Sequence, residues 1–404
     1  MIDDGKTPRP LPQLSAVTVL AISAAAGLAP LNSTMIAVAL PDIADEFDIA
    51  TGRVSILITA YLLVMLVGQP LAGRISDRVG NRRALAIALV GMAVCSVWAS
   101  FAPTFAMLVV ARLSQAAFAA ALTPSVQSLL RAMSGPNEQG RTFGILGSVI
   151  GVGAALGPVI GGVLIEGFGW QAIFLINIPI VAGALIALAR VDVREVHHDL
   201  VDEEDPAGNN KIRNRVFTVC YSIQTMTSLA QFALLILVPI MLDARGWEAA
   251  PTGLTLSALT IGMIIMGPPG GRAGDARGRR WPSSIGLSGA LIAMSVLLLG
   301  GSSINPIALA LGLAAFGIGL GFTTPNLLSA ALESTPRSRA GTAAGIFSTS
   351  RYLGSVTSSI AVSILVTDDA SGSRPILGMA TVAMVTAVVV ARGLPTQRSQ
   401  SREI

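Results

Sequence analysis

The chain has 404 residues, of which 52% are hydrophobic and only 12% are charged, and its formal net charge is +4. So few charged side chains leave too little polar surface to cover a water-soluble globule, and this excludes an ordinary soluble protein. The apolar residues fall into runs of about 20, the length that an α-helix needs to cross roughly 30 Å of hydrocarbon. The sequence therefore predicts a polytopic membrane protein.

Apolar runs divide the chain into twelve candidate spans, six in each half, and the predicted fold class is all-α. The predicted spans are 17–39, 56–71, 84–101, 105–130, 143–165, 173–189, 216–242, 252–267, 284–300, 306–332, 340–366 and 376–391. A stretch between the sixth and seventh spans is too polar to pack in a core. We therefore divide the chain into an N-terminal tail 1–12, a six-helix bundle 13–190, a linker 191–215, a second six-helix bundle 216–392 and a C-terminal tail 393–404.

Arginine and lysine are concentrated in the loops that follow even-numbered spans, whereas loops after odd-numbered spans hold few of them. Cytoplasmic loops of membrane proteins carry this excess. We therefore expect both termini in the cytoplasm and the protein in the cytoplasmic (inner) membrane, in contact with lipid. Because the positive charge then marks one membrane face, it does not indicate a nucleic-acid partner.

Two arginine-rich segments, 73–83 and 271–280, repeat each other about half a chain apart, and each is predicted to be a turn between two spans. Aligning Asp77 with Asp275 also aligns Gly73 with Gly271, which indicates duplicated halves. We expect Asp77 just ahead of the third helix, where a carboxylate can meet a helix N-terminus or pair with a guanidinium group. The alternative is a turn whose arginines serve membrane topology alone.

Four segments carry a resemblance to a known family. Segment 73–83 resembles the loop motif between the second and third helices of the major facilitator superfamily, and 108–115 resembles its fourth-helix motif around an intramembrane arginine. Segment 153–162 resembles the fifth-helix motif associated with exporters, and 31–41 is similar to the first-helix signature of drug:proton antiporters.

This resemblance covers essentially the whole chain and implies twelve transmembrane helices in two pseudo-symmetric six-helix bundles. It further implies a secondary transporter that exports small hydrophobic or amphiphilic organic compounds, drugs or metabolites, by alternating access. Protons are the implied coupling ion, no cofactor is implied, and the protein is expected to act as a monomer.

The resemblance also implies roles for individual residues. A conformational latch would comprise Gly73, Asp77, Arg78, Gly80, Arg82, Asp275 and Arg279. A fifth-helix pivot would comprise Gly153, Gly157, Pro158, Gly161 and Gly162. Three of these glycines recur every fourth residue, which lets a helix approach its neighbour closely, and the proline interrupts the hydrogen-bond ladder. The structural interpretation, that small residues simply let two helices touch, applies as well and does not exclude the pivot.

Charged and amide side chains inside the spans form a further set, predicted to act in coupling or as intramembrane polar groups: Asn32, Arg112, Gln115 and Arg351. A charge at such depth is costly unless it has a partner. The resemblance implies that Arg112 finds its partners in the first helix around Asn32 and in its own neighbour Gln115. For Arg351, a structural hydrogen bond and substrate binding are equally good interpretations. Asn32 departs from the antiporter pattern, which usually has an aspartate there, and an amide cannot titrate.

Mild polar and aromatic residues inside the spans suit a cavity for an amphiphilic organic molecule. The substrate cavity is predicted to include Tyr61, Gln224, Gln231, Asn326 and Phe347. Most of these side chains, taken individually, are more typical of an interhelical hydrogen bond than of a ligand contact.

An intramembrane lipid-modifying enzyme is the main alternative class, and it usually needs clustered acids for a metal-diphosphate or a nucleophile with its base. The acid pairs 3–4 and 368–369 are isolated, His197 and His198 lie in the linker, and no phosphate loop occurs. We therefore expect no metal, no cofactor and no enzymatic activity. A facilitator or symporter for solute uptake and a non-transporting receptor on the same fold are the remaining alternatives.

Overall fold

The computed structural model describes residues 16–49, 54, 56–135, 138–190, 214–243, 245–247, 249–301, 304–365 and 373–395. The predicted N-terminal tail, nearly all of the linker and most of the C-terminal tail lie outside these residues. The described residues form twelve long α-helices: α1 Ala16–Glu46, α2 Ile56–Val79, α3 Asn81–Ser100, α4 Phe105–Met133, α5 Gln139–Phe168, α6 Asn177–Arg190, α7 Arg215–Asp243, α8 Ala249–Arg277, α9 Arg280–Gly300, α10 Pro306–Glu333, α11 Ala340–Leu365 and α12 Ser373–Val390. Each helix corresponds to one predicted span.

Several helices extend well beyond the apolar spans. The two arginine-rich segments are mostly helical, because α2 continues to Val79 and α8 continues to Arg277. In these two segments the helix is interrupted only around Gly80 and Gly278, whose positive φ angles of 92° and 81° suit glycine. The prediction that Asp77 lies in a turn ahead of the third helix was wrong, because hydropathy marks where the hydrocarbon ends and not where the helix ends. Asp77 belongs to the last turn of α2.

Local capping explains where two of the helices begin. The Thr104 hydroxyl accepts a hydrogen bond from the Met107 backbone N–H at the start of α4. The Asn305 side chain accepts one from the Ile307 N–H at the start of α10, where Pro306 occupies the first helical position. Both arrangements satisfy N–H groups that have no partner within the helix.

The helices of each half pack in the same pattern. In the first half, α1 packs on α4, α5 and α6, α4 packs on α2 and α3, and α3 packs on α6. In the second half, α7 packs on α10, α11 and α12, α10 packs on α8 and α9, and α9 packs on α12. The halves meet through α2 against α11 and α5 against α8, which are equivalent pairs under this correspondence. The fold is therefore a pair of pseudo-symmetric six-helix bundles.

The surface of the bundles is suited to a lipid environment. Eleven helices of the described residues are long and apolar enough to cross a membrane. The remaining long helix, α11, is more polar and carries Arg351 and several serines and threonines. Large apolar side chains such as Phe168, Leu254 and Leu299 are exposed, as expected of side chains that face lipid.

Candidate functional site

Asp77 joins the two halves of the molecule. Its carboxylate accepts hydrogen bonds from the backbone N–H groups of Gly341 and Thr342, at 2.7 and 2.8 Å, and from the Thr342 hydroxyl. These two residues form the start of α11, so the carboxylate lies at the positive end of that helix dipole. The sequence left open a helix N-terminus next to the third helix or a guanidinium group, whereas the observed partner is the N-terminus of α11 in the other half.

Asp275 makes the equivalent contact with the halves exchanged, because its carboxylate belongs to the second half and the helix N-terminus belongs to the first. It lies near the end of α8 and accepts hydrogen bonds from the backbone N–H groups of Gly140 and Arg141 at the start of α5, both at 2.9 Å. We call these two contacts the clasps, namely Asp77 with 341–342 and Asp275 with 140–141. The membrane face on which they lie is called the arginine-rich face.

The second clasp contains ion pairs. The Arg279 guanidinium lies 2.9 Å from the Asp275 carboxylate and 2.6 Å from the Glu333 carboxylate, and the Arg279 side chain is almost fully buried. Burial alone would lower the pKa of Arg279, but the hydrogen bond and charge of Glu333 and the charge of Asp275 together raise it. Arg279 therefore stays charged and anchors Asp275.

The arginines next to Asp77 have a different environment from Arg279. Arg78 is exposed and Arg82 is partly exposed. Within the part of the chain that the structure describes, neither forms an ion pair with Asp77. Among the described residues, no ion pair thus supports a latch role for Arg78 or Arg82 in this conformer, and that role stays a prediction.

Glycines allow the backbones of the two halves to touch at the clasps. A Cβ added at Gly73 would lie 2.2 Å from the carbonyl oxygen of Gly341, and one added at Gly271 would lie 1.8 Å from that of Gly140. Both distances are far below van der Waals contact with an atom that cannot rotate away. Any side chain at these positions would separate the helices and weaken the clasps.

Further contacts between the halves lie on the same face or near it. The Arg131 guanidinium, at the end of α4, donates a 2.8 Å hydrogen bond to the Thr335 carbonyl oxygen. The Ser148 hydroxyl on α5 donates one of 2.8 Å to the Ile264 carbonyl oxygen on α8. The structure is thus a conformer in which the two halves are joined at the arginine-rich face.

A buried polar network lies inside the first half. Asn32 and Asn177 exchange two side-chain hydrogen bonds, of 2.7 and 2.9 Å, between α1 and α6. The Ser96 hydroxyl on α3 accepts from Asn177 at 3.1 Å and from Gln115 at 2.8 Å. Arg112 on α4 donates to the Gln115 side-chain oxygen at 2.5 Å and to the Asn32 backbone oxygen at 3.0 Å. The partners expected for Arg112 are therefore the observed ones.

Arg112 is a buried cation whose neighbours are neutral. Its guanidinium carbon lies 4.2 Å from the centre of the Tyr61 ring and 5.8 Å from that of Phe174, both suitable for cation–π attraction. The Arg112 Nε–H has no hydrogen-bond partner within the part of the chain that the structure describes. Among the described residues no carboxylate forms an ion pair with Arg112. The charge is held by carbonyl oxygens and aromatic faces alone.

The predicted fifth-helix pivot packs on α1. Cβ atoms added at Gly153 and Gly157 would lie 2.8 Å from the Gly27 carbonyl oxygen and 1.8 Å from the Thr34 hydroxyl, and one added at Gly161 would touch Met35. A Cβ at Gly162 would meet nothing within 4 Å, so Gly162 does not belong to this contact. The glycines at 153, 157 and 161 therefore form a contact inside the first half, between α5 and α1. A pivot role for them and for Pro158 remains a prediction.

No hydrogen bond or ring contact of the described residues joins any two of the five side chains predicted for the substrate cavity. Their observed partners are Ala29 O for Tyr61, Ser228 for Gln224, Met263 Sδ for Gln231, Gly270 O and Phe322 O for Asn326, and Phe217 for Phe347. Arg351 is half-buried, with its guanidinium carbon 5.5 Å from the centre of the Tyr352 ring. The cavity and the role of Arg351 stay predictions.

Sequence reasoning missed two groups of residues. One group is Asn177 with Ser96, which complete the buried network, and an amide within an apolar span was the available signal. The other is the pair of segments 140–144 and 341–345, each with glycines four residues apart at the start of a helix that faces the opposite half. The repeat of 140–144 in 341–345 is as visible in the sequence as the repeat of 73–83 in 271–280. Only the fold shows that the segments of one repeat contact those of the other.

Comparison with known proteins agrees with this architecture. The family model described as Major Facilitator Superfamily matches residues 22–359, with a second match over 220–403. The tetracenomycin C resistance and export protein of Streptomyces glaucescens is 35% identical over 42% of this chain and 32% of its own length. The riboflavin transporter RibZ of Clostridioides difficile is 25% identical over 81% of this chain and 82% of its own length.

Among solved structures, that of the human organic anion transporter MFSD10 superposes with a TM-score of 0.72. The match covers 93% of this chain and 99% of that one at 14% sequence identity, so it bears on the fold alone. The fold, the family match and the relatives together identify a multi-pass membrane transporter of small organic substrates and not an enzyme. The chain belongs to the Major Facilitator Superfamily.

Proposed function

We propose that this protein is a secondary transporter that exports small hydrophobic or amphiphilic organic compounds across the cytoplasmic membrane by alternating access. In this proposal both termini and the arginine-rich face are cytoplasmic, and proton entry drives export. The protein acts as a monomer, and the path lies between the two bundles.

The observation that carries the proposal is the pair of reciprocal clasps. Each clasp is a carboxylate from one half against the N-terminus of a helix from the other half, at Asp77 and at Asp275. Such contacts are strong when formed, but they involve few atoms and can break without unfolding either bundle. Two bundles joined by a separable contact at one face are what alternating access requires.

The orientation follows from the arginines. If the face that carries them is cytoplasmic, as the excess of positive charge favours, the conformer described here is closed to the cytoplasm. Release of both clasps would open the path to cytoplasmic cargo. Re-formation of the clasps would then commit the cargo to the outside.

Export and the class of cargo rest on similarity. The Streptomyces glaucescens relative is named a resistance and export protein, and the glycines at 153, 157 and 161 resemble the exporter motif and pack closely on α1. RibZ, which is named a riboflavin transporter, matches more of the chain at lower identity. Uptake of a solute is therefore the alternative that the experiment must distinguish.

Proton coupling requires a group that titrates. Asn32 cannot supply one, and the network around Arg112 contains no carboxylate among its described members. Asp77 is partly buried and accepts hydrogen bonds that a protonated carboxyl group would accept less well. We therefore assign the proton-responsive step to the clasp that Asp77 forms.

The test is transport of a fluorescent lipophilic dye, ethidium, by membrane vesicles of both orientations. Inside-out vesicles energised with an acidic lumen should accumulate the dye, and an uncoupler should abolish the accumulation. Right-side-out vesicles should transport the dye in the opposite direction, out of the lumen. Vesicles with the Asp77→Asn variant at equal membrane abundance control for passive partitioning.

Uptake by right-side-out vesicles would replace export with the alternative. Transport that ignores the uncoupler would remove proton coupling and leave alternating access intact. Equal dye behaviour with and without the protein, across a panel of cationic, neutral and anionic amphiphiles, would overturn the proposed cargo class.

A further inference from the structure

Asn32 and Asn177 use all their side-chain hydrogens. The Asn32 amide nitrogen donates to the Leu28 carbonyl oxygen at 2.8 Å and to the Asn177 oxygen at 2.7 Å. The Asn177 amide nitrogen donates to the Asn32 oxygen at 2.9 Å and to the Ser96 hydroxyl at 3.1 Å. The Leu28 carbonyl can only accept, so it determines which end of the Asn32 amide carries the hydrogens.

A carboxylate could not make this arrangement. An ionised aspartate at either position has no hydrogen to donate, and at position 32 its oxygens would face two acceptors at hydrogen-bond distance. Unpaired oxygens in a buried site are costly. Asn32 is therefore not simply an uncharged substitute for aspartate, because the site requires the two hydrogens of its amide group.

The network also determines what Arg112 contacts. Arg112 donates to the backbone oxygen of Asn32, and its other partner, Gln115, donates to the same Ser96 hydroxyl that Asn177 does. A shift of Asn177 would therefore move both partners of Arg112. In the hydrogen bonds and ring contacts of the described residues, the titratable groups that meet this network are Arg112 from α4 and Tyr61 from α2, while α3 and α6 contribute the neutral Ser96 and Asn177.

We propose that Asn32 and Asn177 form an amide bracket that attaches α1 to α6 beside Arg112, with Asn177 and Ser96 as positioning residues for Arg112. The bracket keeps this part of the first half at constant charge over the physiological pH range. Its folded-state role is independent of the proposed transport activity. Its effect on turnover rests on the proposed function.

The first test measures the thermal unfolding midpoint of the purified protein in detergent from about pH 5 to about pH 8. In Asn32→Asp and in Asn177→Asp, a protonated side chain can still donate one hydrogen bond, whereas an ionised one cannot. The deficit in Tm relative to wild type should therefore grow as pH rises, by roughly 2–4 °C across this range. A deficit that shrinks as pH rises would mean that Arg112 pairs with the new carboxylate, and it would overturn the bracket.

Asn305→Asp is the matched control. Asn305 is exposed, and within the described residues its side chain acts only as an acceptor, from the Ile307 N–H, so an aspartate serves equally well. Its Tm should follow that of wild type at every pH. A pH-dependent deficit of the same size in this variant would show that any added acid has the effect, and it would remove the support from the amide bracket.

A double-mutant cycle with Asn32→Ser and Asn177→Ser covers the case in which the aspartate variants do not fold. Each substitution removes the shared pair of hydrogen bonds and one further hydrogen bond, to Leu28 for Asn32 and to Ser96 for Asn177. The Tm loss of the double variant should therefore be clearly smaller than the sum of the two single losses. Additive losses would show that the two amides do not act together, which also overturns the bracket.

A transport measurement tests the positioning role. The initial rate for Asn177→Asp relative to wild type should fall several-fold between about pH 6 and about pH 8, whereas a purely structural role would leave this ratio constant. If wild type carries none of the probes, the proposed function fails and the Tm measurements still decide on the bracket. If wild type transports and the ratio is constant, the positioning role is wrong.

Discussion

Replacing Asp77 with asparagine should release one clasp while leaving both bundles folded. Asparagine has nearly the same shape as aspartate but carries no charge, and only one of its two terminal atoms accepts hydrogen bonds. Its NH₂ group would face one of the backbone N–H donors of Gly341 or Thr342. The substitution therefore changes the contact between α2 and α11 without removing volume.

The size of the effect follows from the hydrogen bonds that the substitution removes. Asp77 accepts two backbone hydrogen bonds and one hydroxyl hydrogen bond as a charged group. A hydrogen bond to a charged partner contributes about 1.5–3 kcal/mol, and a partly buried charge at a helix end up to about 2 kcal/mol. With one neutral hydrogen bond retained, the free-energy cost is about 3 kcal/mol, which changes the ratio of clasped to unclasped molecules roughly 150-fold.

The assay is a distance measurement between spin labels on the two halves. Arg74 on α2 and Ser338 just before α11 are both exposed and suit cysteine substitution. The native thiols, Cys95 and Cys220, are buried and are first replaced by alanine. Wild type should show a single short distance, and the Asp77→Asn variant should show a second, longer distance together with lower dye transport.

The control is Asp42→Asn, which removes an exposed carboxylate at the opposite end of the molecule. It should leave the distance distribution unchanged. If Asp77→Asn also keeps the wild-type distribution and transports normally, the clasp does not hold the halves together and the reasoning is refuted. A longer distance with normal transport would show that clasp formation does not limit turnover.

Two further substitutions test the other contacts of the site. Gly271→Ala places a methyl group 1.8 Å from the Gly140 carbonyl oxygen, so α5 and α8 should separate and dye transport should fall, whereas Gly253→Ala on the same helix meets open space and should be tolerated. Normal spin-label distances and normal transport in Gly271→Ala would contradict the close approach. Arg112→Lys should lower the unfolding stability by about 1–3 kcal/mol, measured by thermal melting, because one ammonium group cannot bridge the Asn32 carbonyl and the Gln115 side chain. An unchanged melting temperature would show that the bridge is dispensable.

The two clasps are similar in geometry and different in electrostatics. Asp275 is held by Arg279, which also pairs with Glu333. When Asp77 is aligned with Asp275, the position of Arg279 is occupied in the first half by the uncharged Asn81, and no ion pair to Asp77 occurs within the described part of the chain. Breaking a buried ion pair by removing one partner leaves an unpaired charge and costs several kcal/mol. The second clasp is therefore the better anchored of the two.

Much of the fold could be read from the chain alone. The length of an apolar run, the excess of arginine at its ends and the repeat of a motif are properties of the sequence in one dimension. They were sufficient for twelve helices in two halves, and the resemblance around Asp77, Arg112 and Gly157 was sufficient for the family. The resemblance also implied the partners of Arg112, namely Gln115 on the same helix and the first helix around Asn32, and both are observed.

The contacts that join the helices required the tertiary structure. The apolar span 56–71 did not predict that α2 extends to Val79. A helix extends beyond the hydrocarbon region as long as its backbone hydrogen bonds continue, and hydropathy does not report on these bonds. Asp77 meets Gly341, and Asn177 meets Asn32, only because packing sets the rotation of each helix about its axis. Hydrophobicity is nearly uniform around a membrane helix and specifies that rotation poorly. The sequence alone thus determined how many helices there are and which family they form, and packing decided which of their faces touch.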